Sequence, residues 1–145
     1  MKIHKAYKYR IYPNKEQIEI LNQHFGCVRF VYNHYLGERI NFYRDTGKGL
    51  SFYATEKLLT VFKKQEEYDW LQDVNSQSLQ FALRNLERAY VNFFEHRTKF
   101  PKFKKKRNRQ SFTVPQHFSV TDNLLSIPKC KDIEIKLHRC IVNIV

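Results

Sequence analysis

The hydrophobic period of this chain changes twice, and that change constrains the fold more than any other feature. Residues 2–12 alternate, with Ile3, Tyr7, Tyr9 and Ile11 on one face and Lys2, His4, Lys8 and Arg10 on the other, which is the period of a strand. Apolar residues then recur every three or four positions through a long middle section, the period of helices, and from Phe112 onward the period returns to two. A lone strand leaves its backbone groups unpaired, so the first strand is expected to pair with the C-terminal ones and the helices to form an insertion between them. The reading is α+β. Residues 1–13 start a small barrel-like sheet, residues 14–97 form an inserted helix-turn-helix-like bundle, and residues 98–145 hold a basic linker and the remaining strands.

Within the helical section the punctuation is clear. Pro13 ends the first strand, and Asn14 followed by Gln17 reads as an N-cap with its reciprocal partner. They open a register of Ile18, Leu21, Phe25, Val28, Tyr32, Tyr35 and Ile40, with Gly26 expected to mark a turn or kink and Gly47 and Gly49 to stop the helix. A shorter helix, capped by Thr55 or Ser51, is expected to bury Leu58, Leu59 and Phe62 before Trp70 and Leu71 dock. Asn75 caps the clearest helix, whose stripe of Leu79, Leu83, Leu86, Tyr90 and Phe93 reads as core. Beyond it, residues 111–114, 118–120, 124–127, 133–137 and 141–145 are strand candidates, split by Pro115, Asp122-Asn123 and Pro128.

Residues 95–112 read E-H-R-T-K-F-P-K-F-K-K-K-R-N-R-Q-S-F, a basic run with phenylalanines set into it. Lys and Arg neutralise phosphates, while Phe100, Phe103 and Phe112 either offer faces for bases or anchor the segment to a core. An isolated charge run reads equally well as a solvated loop. The whole chain weighs against that, because 26 Lys and Arg against 14 Asp and Glu leave +12 over 145 residues, the balance of a protein that meets a polyanion. No apolar stretch approaches the ~20 residues that span a bilayer, and the N-terminus lacks a signal-peptide core, so a soluble cytoplasmic protein without a membrane partner is expected. Cys27, Cys130 and Cys140 form no C-x-x-C pair, and His4, His24, His34, His96, His117 and His138 lack paired ligand spacing. They read as reduced thiols and as surface or packing histidines, with no cofactor and no small-molecule substrate implied. Asp69, Asp73, Glu87, Asp122 and Asp132 carry no two-metal signature and read as solvent-facing charges.

Five segments together resemble a known family: K-A-Y-K-Y-R-I-Y-P-N-K-E-Q at residues 5–17, G-C-V-R-F-V-Y-N at 26–33, W-L at 70–71, S-L-Q-F-A-L-R-N-L-E-R-A-Y-V-N-F-F at 78–94 and F-P-K-F-K at 100–104. In this order they are similar to the N-terminal part of TnpB, the OrfB protein of small bacterial transposons. The resemblance implies the wedge barrel and helical recognition bundle of an RNA-guided DNA endonuclease. It also implies that the RuvC nuclease domain and the four-cysteine finger would follow beyond this chain, which is therefore expected to bind without cleaving. By the same analogy Phe52, Thr55, Ser76, Gln77 and Gln80 would read the duplex motif flanking the target, since Gln can hydrogen-bond adenine and helix N-termini favour phosphate. Many relatives carry tyrosine at the position of Phe52 and lysine at that of Ser76, which leaves that motif open. Lys8 and Arg10 on the first strand, with Lys102, Lys104, Lys105, Lys106, Arg107 and Arg109, would track the backbones of the guide RNA and its hybrid with target DNA.

Two other readings compete. One is a stand-alone helix-turn-helix DNA-binding regulator with residues 14–45 as the reading unit. The other is an inactive truncated product that self-associates through an open sheet edge at residues 141–145.

Overall fold

The computed structural model describes residues 2–137. Asn14 accepts the backbone N–H of Gln17, whose side-chain Oε1 in turn accepts the N–H of Asn14, both at 2.9 Å; this reciprocal box opens α1, Lys15–Thr46. The helix runs without interruption through Gly26, contrary to the turn expected there. A Cβ built at Gly26 would meet open space, so neighbouring packing imposes no break. Gly47, in the left-handed region at φ 71°, closes the helix by donating to the Tyr43 carbonyl. Residues 14–45 are thus one helix and its cap, and the turn between helices comes only after them. The buried positions Gln17, Leu21, His24, Val28, Val31 and Tyr35 alternate spacings of four and three, one seam along α1. Ile18 lies off that seam and is 45% exposed, which corrects the expected register by one position.

Ser51, not Thr55, caps α2, Phe52–Phe62; Thr55 and Leu59 face inward one turn apart and turn Leu58 out to solvent. A 3-10 helix at Glu66–Asp73 seats Leu71 in the core, and Asn75 caps α3, Ser76–Phe94. Leu36, Leu59, Leu71, Leu79, Leu83 and Leu86 are nearly or fully buried among α1, α2 and α3, where truncation of one leucine to alanine costs about 2–5 kcal/mol. Arg39 on α1 pairs with Glu87 on α3 at 2.8 Å and lies 4.1 Å over the Tyr90 ring. Glu87 therefore ties two helices together and is not the free surface charge expected of it.

The C-terminal residues form β2 (Ser119–Thr121), β3 (Leu124–Ile127) and β4 (Cys130–Ile135), and β1 (Ile11–Tyr12) pairs antiparallel with β4. The order is β1-β4-β3-β2, an open four-stranded antiparallel sheet among the described residues. Pairing of the first strand with a C-terminal one, β4, around the intervening helices, is as the sequence implied. Asp122 and Asn123, both at positive φ, make the two-residue turn between β2 and β3. Pro128 and Lys129, the latter at φ 71°, turn β3 into β4.

Two strand expectations shrink. The alternation of residues 2–12 pairs in the ladder only at Ile11 and Tyr12, and Ile3 is 71% exposed because no sheet face lies beneath it among the described residues. Residues 111–114 have alternating side chains that pack inward at Phe112 and Val114, but the Thr113 carbonyl is taken by the Ser78 hydroxyl at 2.8 Å and no ladder forms. Residues 141–145, and with them the expected open edge, lie outside the described residues, as do His138 and Cys140.

Gln17 couples the two halves. Besides its capping role, its Nε2 donates to the carbonyls of Lys131 and Asp132 at 2.8 and 3.0 Å. Asp132 sits at φ 56° where the β3–β4 register slips, so the first turn of α1 holds a β-bulge. Leu21, Ile127, Cys130 and Ile133 form the small core between α1 and the sheet, and Phe112 packs against this cluster and the bundle core alike.

Candidate nucleic-acid interface

The basic segment lies along α1, held at both ends by its own aromatics. Phe100 sets its edge against Tyr90 and Phe93, with ring centroids at 5.5 and 5.2 Å, and Pro101 is buried beside it. Phe112 stacks on His24 at 5.0 Å and meets Phe25 edge-on at 5.2 Å. These two phenylalanines are anchors; Phe103 stays half exposed, with its ring 3.9 Å from where a Cβ on Gly37 would stand. Between the anchors, Asn33 grips the Lys104 backbone at both its N–H and its carbonyl, and Arg29 donates to Gln110 Oε1 at 3.0 Å. Phe25, Arg29, Asn33 and Gly37 recur every four residues, so one stripe of α1 is the track on which the segment rests.

That arrangement presents charge. Lys102, Lys104, Lys105, Lys106, Arg107 and Arg109 are exposed, and among the described residues no carboxylate pairs with any of them. The Lys104 ammonium lies 4.4 Å over the Tyr32 ring, and burial of its stem lowers its pKa from the ordinary lysine value. Lys8 and Arg10 are exposed as well, and the Arg10 carbonyl accepts from Lys136 N–H at 3.2 Å, which continues the β1–β4 pairing.

The five residues expected to read duplex sequence fare differently. Ser76 and Gln80 are exposed on the first turns of α3. Gln77 donates to Gln116 at 3.1 Å, while its own Oε1 is buried with no hydrogen-bond partner. Phe52 packs against the bundle core and Tyr53. Thr55 is 1% exposed and its hydroxyl donates to the Phe52 carbonyl at 2.6 Å, so its side chain is turned away from any base. The cause is the rotation of α2 that buries Thr55 with Leu59.

His24 is a residue the sequence reading left without a role. Its Nδ1–H donates to the Ile20 carbonyl at 2.9 Å and its Nε2 accepts the Asn75 N–H at 3.2 Å, which fixes a neutral imidazole with the proton on Nδ1. Burial lowers its pKa below 6.5; the Ile20 hydrogen bond opposes this, and Lys129 adds to it. Asn75 in turn donates to Ser78 at 3.1 Å, and Ser78 to Thr113. One buried polar chain thus joins α1, the cap of α3 and the end of the basic segment. The signal was available: His24 falls on the four-three seam of α1 between Leu21 and Val28.

Beside the same helix an open groove of about 670 Å³ runs over Gly26 and Cys27, walled by Phe30, His34 and Trp70. Burial raises the Cys27 thiol to about 11, so it is an inert packing group, and Cys130 is likewise buried and free. Among the described residues no three His, Cys, Asp or Glu side chains gather to hold a metal, and no helix is long and apolar enough to cross a membrane.

Comparison with known proteins defines the class first. A helix-turn-helix domain family of IS605-type OrfB proteins matches residues 1–48, the part that holds β1 and α1. The chain is 42% identical over 110 residues to a Streptomyces pristinaespiralis protein named as an RNA-guided DNA endonuclease, a match that covers 75% of this chain and 27% of the relative. It is 35% identical over 116 residues to the Escherichia coli (strain K12) protein InsQ, named likewise, over 80% of this chain and 29% of InsQ. It is also 40% identical over 114 residues to the Salmonella dublin virulence protein VsdF, over 72% of this chain and 96% of VsdF. The chain belongs to the OrfB (TnpB) family. It spans under a third of the length of the two relatives named as endonucleases.

Proposed function

We propose that this chain is a nucleic-acid-binding unit of the transposon-encoded OrfB type, acting in the cytoplasm. It holds guide RNA and its hybrid with target DNA through the basic segment and Lys8 and Arg10, and meets the flanking duplex at the start of α3. The observation that carries this reading is the row of cations from Lys102 to Arg109, held against α1 by Asn33 between two phenylalanine anchors and left, among the described residues, without carboxylate partners. A solvated loop needs no such anchorage. The names of two relatives, RNA-guided DNA endonucleases, agree with it. On the duplex side the reading now rests on Ser76, Gln77 and Gln80, with Phe52 as support and Thr55 as packing. The open sheet would be the described part of the family's wedge barrel.

Hybrids of this kind are recognised by shape and charge, so affinity should follow salt more than sequence. The chain itself is proposed not to cut DNA, as the described residues bring together no carboxylate set of the kind that holds two catalytic metals. The test is fluorescence anisotropy of the purified chain with structured RNA, an RNA–DNA hybrid and duplex DNA over a salt series, alongside plasmid incubation with Mg²⁺. Tight, steeply salt-dependent binding of RNA or hybrid without cleavage is expected. Binding of palindromic duplex alone, by a dimer, would replace this reading with that of a regulator.

A further inference from the structure

The turn of the basic segment packs on α1 around a partly open pocket of about 150 Å³, lined by Phe25, Val28 and Arg29 from the helix and by residues 104, 105 and 108–111 from the segment. Four of the lining residues are cations, Arg29, Lys104, Lys105 and Arg109; Asn108, Gln110 and Ser111 add neutral polar groups, and among the described residues no carboxylate lines it. Its volume lies below the ~300 Å³ at which pockets for small organic ligands begin, and it suits a single tetrahedral anion.

The wall is built to hold Arg29 in place without neutralising it. Arg29 Nη1 donates to Gln110 Oε1 at 3.0 Å, and Gln110 Nε2 donates to the Lys106 carbonyl at 3.1 Å. The Asn108 N–H closes the turn on the Lys105 carbonyl at 3.0 Å. A neutral amide orients the guanidinium where a carboxylate would have cancelled its charge, and among the described residues no other hydrogen bond takes the remaining N–H groups of the fork. Asn33, one turn along α1, fixes the backbone of Lys104, another residue of the lining.

We infer that this pocket is a seat for one backbone phosphodiester of a bound nucleic acid, with Arg29 as its central donor and Gln110 as the residue that positions it. The inference rests on the proposed function for the source of the phosphate, but not for the chemistry of the seat. An arginine fork in a basic pocket prefers phosphate to a monovalent halide, because two parallel N–H donors match two oxygens.

The experiment uses the whole chain and ¹H–¹⁵N spectra, with inorganic phosphate titrated against chloride at fixed ionic strength, followed by a short single-stranded RNA. Saturable shifts confined to Arg29 and residues 104–111 are expected with phosphate. Arg29→Gln and Gln110→Glu should each weaken them about tenfold or more, the loss of a charge-assisted contact. Gln110→Glu retains a partner for Arg29, so it serves if Arg29→Gln disturbs folding, and Lys64→Gln, in the exposed turn after α2, removes equal charge while leaving the seat unchanged. RNA affinity should fall in Arg29→Gln with the log–log salt slope reduced by about 0.7–0.9, one phosphate. Unsaturable shifts spread over the basic surface, or wild-type phosphate binding in both variants, would overturn the seat. A seat that saturates with phosphate while Arg29→Gln leaves RNA binding intact, or while the chain binds no nucleic acid, would overturn its assignment to a backbone phosphodiester.

Discussion

The side-chain amide of Asn33 brackets the peptide of Lys104, its Oδ1 accepting the Lys104 N–H at 2.7 Å and its Nδ2 donating to the Lys104 carbonyl at 2.8 Å. One amide thus does for an extended segment what a neighbouring strand would do, and it does so from the middle of a helix 71 positions away. The charges that follow Lys104 are therefore displayed in a set place and do not sample a random coil.

Replacing Asn33 with Ala should free this backbone at little cost to the fold. The site is exposed, so the released groups rehydrate and global stability should fall by about 0.5–1.5 kcal/mol. Hydrogen exchange at Lys104 should accelerate and RNA affinity should drop. Unchanged exchange at that amide would remove Asn33 from its clamping role.

Changing Lys104, Lys105, Lys106, Arg107 and Arg109 together to Ala should flatten the salt dependence of binding, since each phosphate neutralised contributes about −0.7 to −0.9 to the log–log slope. The helices and sheet should keep their circular-dichroism spectrum. An unaltered slope in this variant would move the polyanion contact to Lys8, Arg10 or the helices.

Stability should fall as the medium becomes acidic. Burial holds His24 below 6.5, and His34 is lowered for the same reason, with Glu38 opposing. Below pH 6.5 the unfolded chain binds protons that the folded chain refuses, so stability rises with pH through this window and these two groups add nothing further above it. Urea unfolding at a series of pH values should show the loss, and it should shrink in His24→Gln. That variant should itself be destabilised by about 1–3 kcal/mol wherever it leaves the Asn75 N–H unpaired.

Gln17→Ala should cost about 1–3 kcal/mol, because it removes the reciprocal cap and both hydrogen bonds to the bulge in β4. Ile18→Ala, one position along, should change stability by less than about 1 kcal/mol, although the sequence pattern made it the more apolar and more conspicuous of the two. Equilibrium denaturation of both variants is the comparison. Equal losses would mean that α1 does not dock on β4 through Gln17.

Much of the fold was legible because its signals are local. The Asn14–Gln17 box, the left-handed Gly47, the Asn75 cap, the stripe from Leu79 to Tyr90 and the Asp122-Asn123 turn each depend on a few neighbouring residues. Errors came where two helical phases competed, as at Ile18 against Gln17 and Leu58 against Thr55, since a shift of one position turns a side chain by ~100° and only the packed neighbour selects the phase. The basic segment announced its charge but not its shape. Whether Phe100 and Phe112 stacked bases or filled a core depended on Tyr90 and His24, which are remote in sequence from one or the other.

The sequence by itself determined the charge, the order of strand, helices and strands, and the helix ends, because these follow from residue type and short-range hydrogen bonding. The tertiary structure alone decided that His24 would link two helices to Phe112, that Asn33 would hold Lys104, and that Arg29 would be aimed by Gln110 without being neutralised. Each of these is a contact across tens of residues, and a polar side chain has no preferred partner until burial brings one within 3 Å or so and removes the water that competes for it.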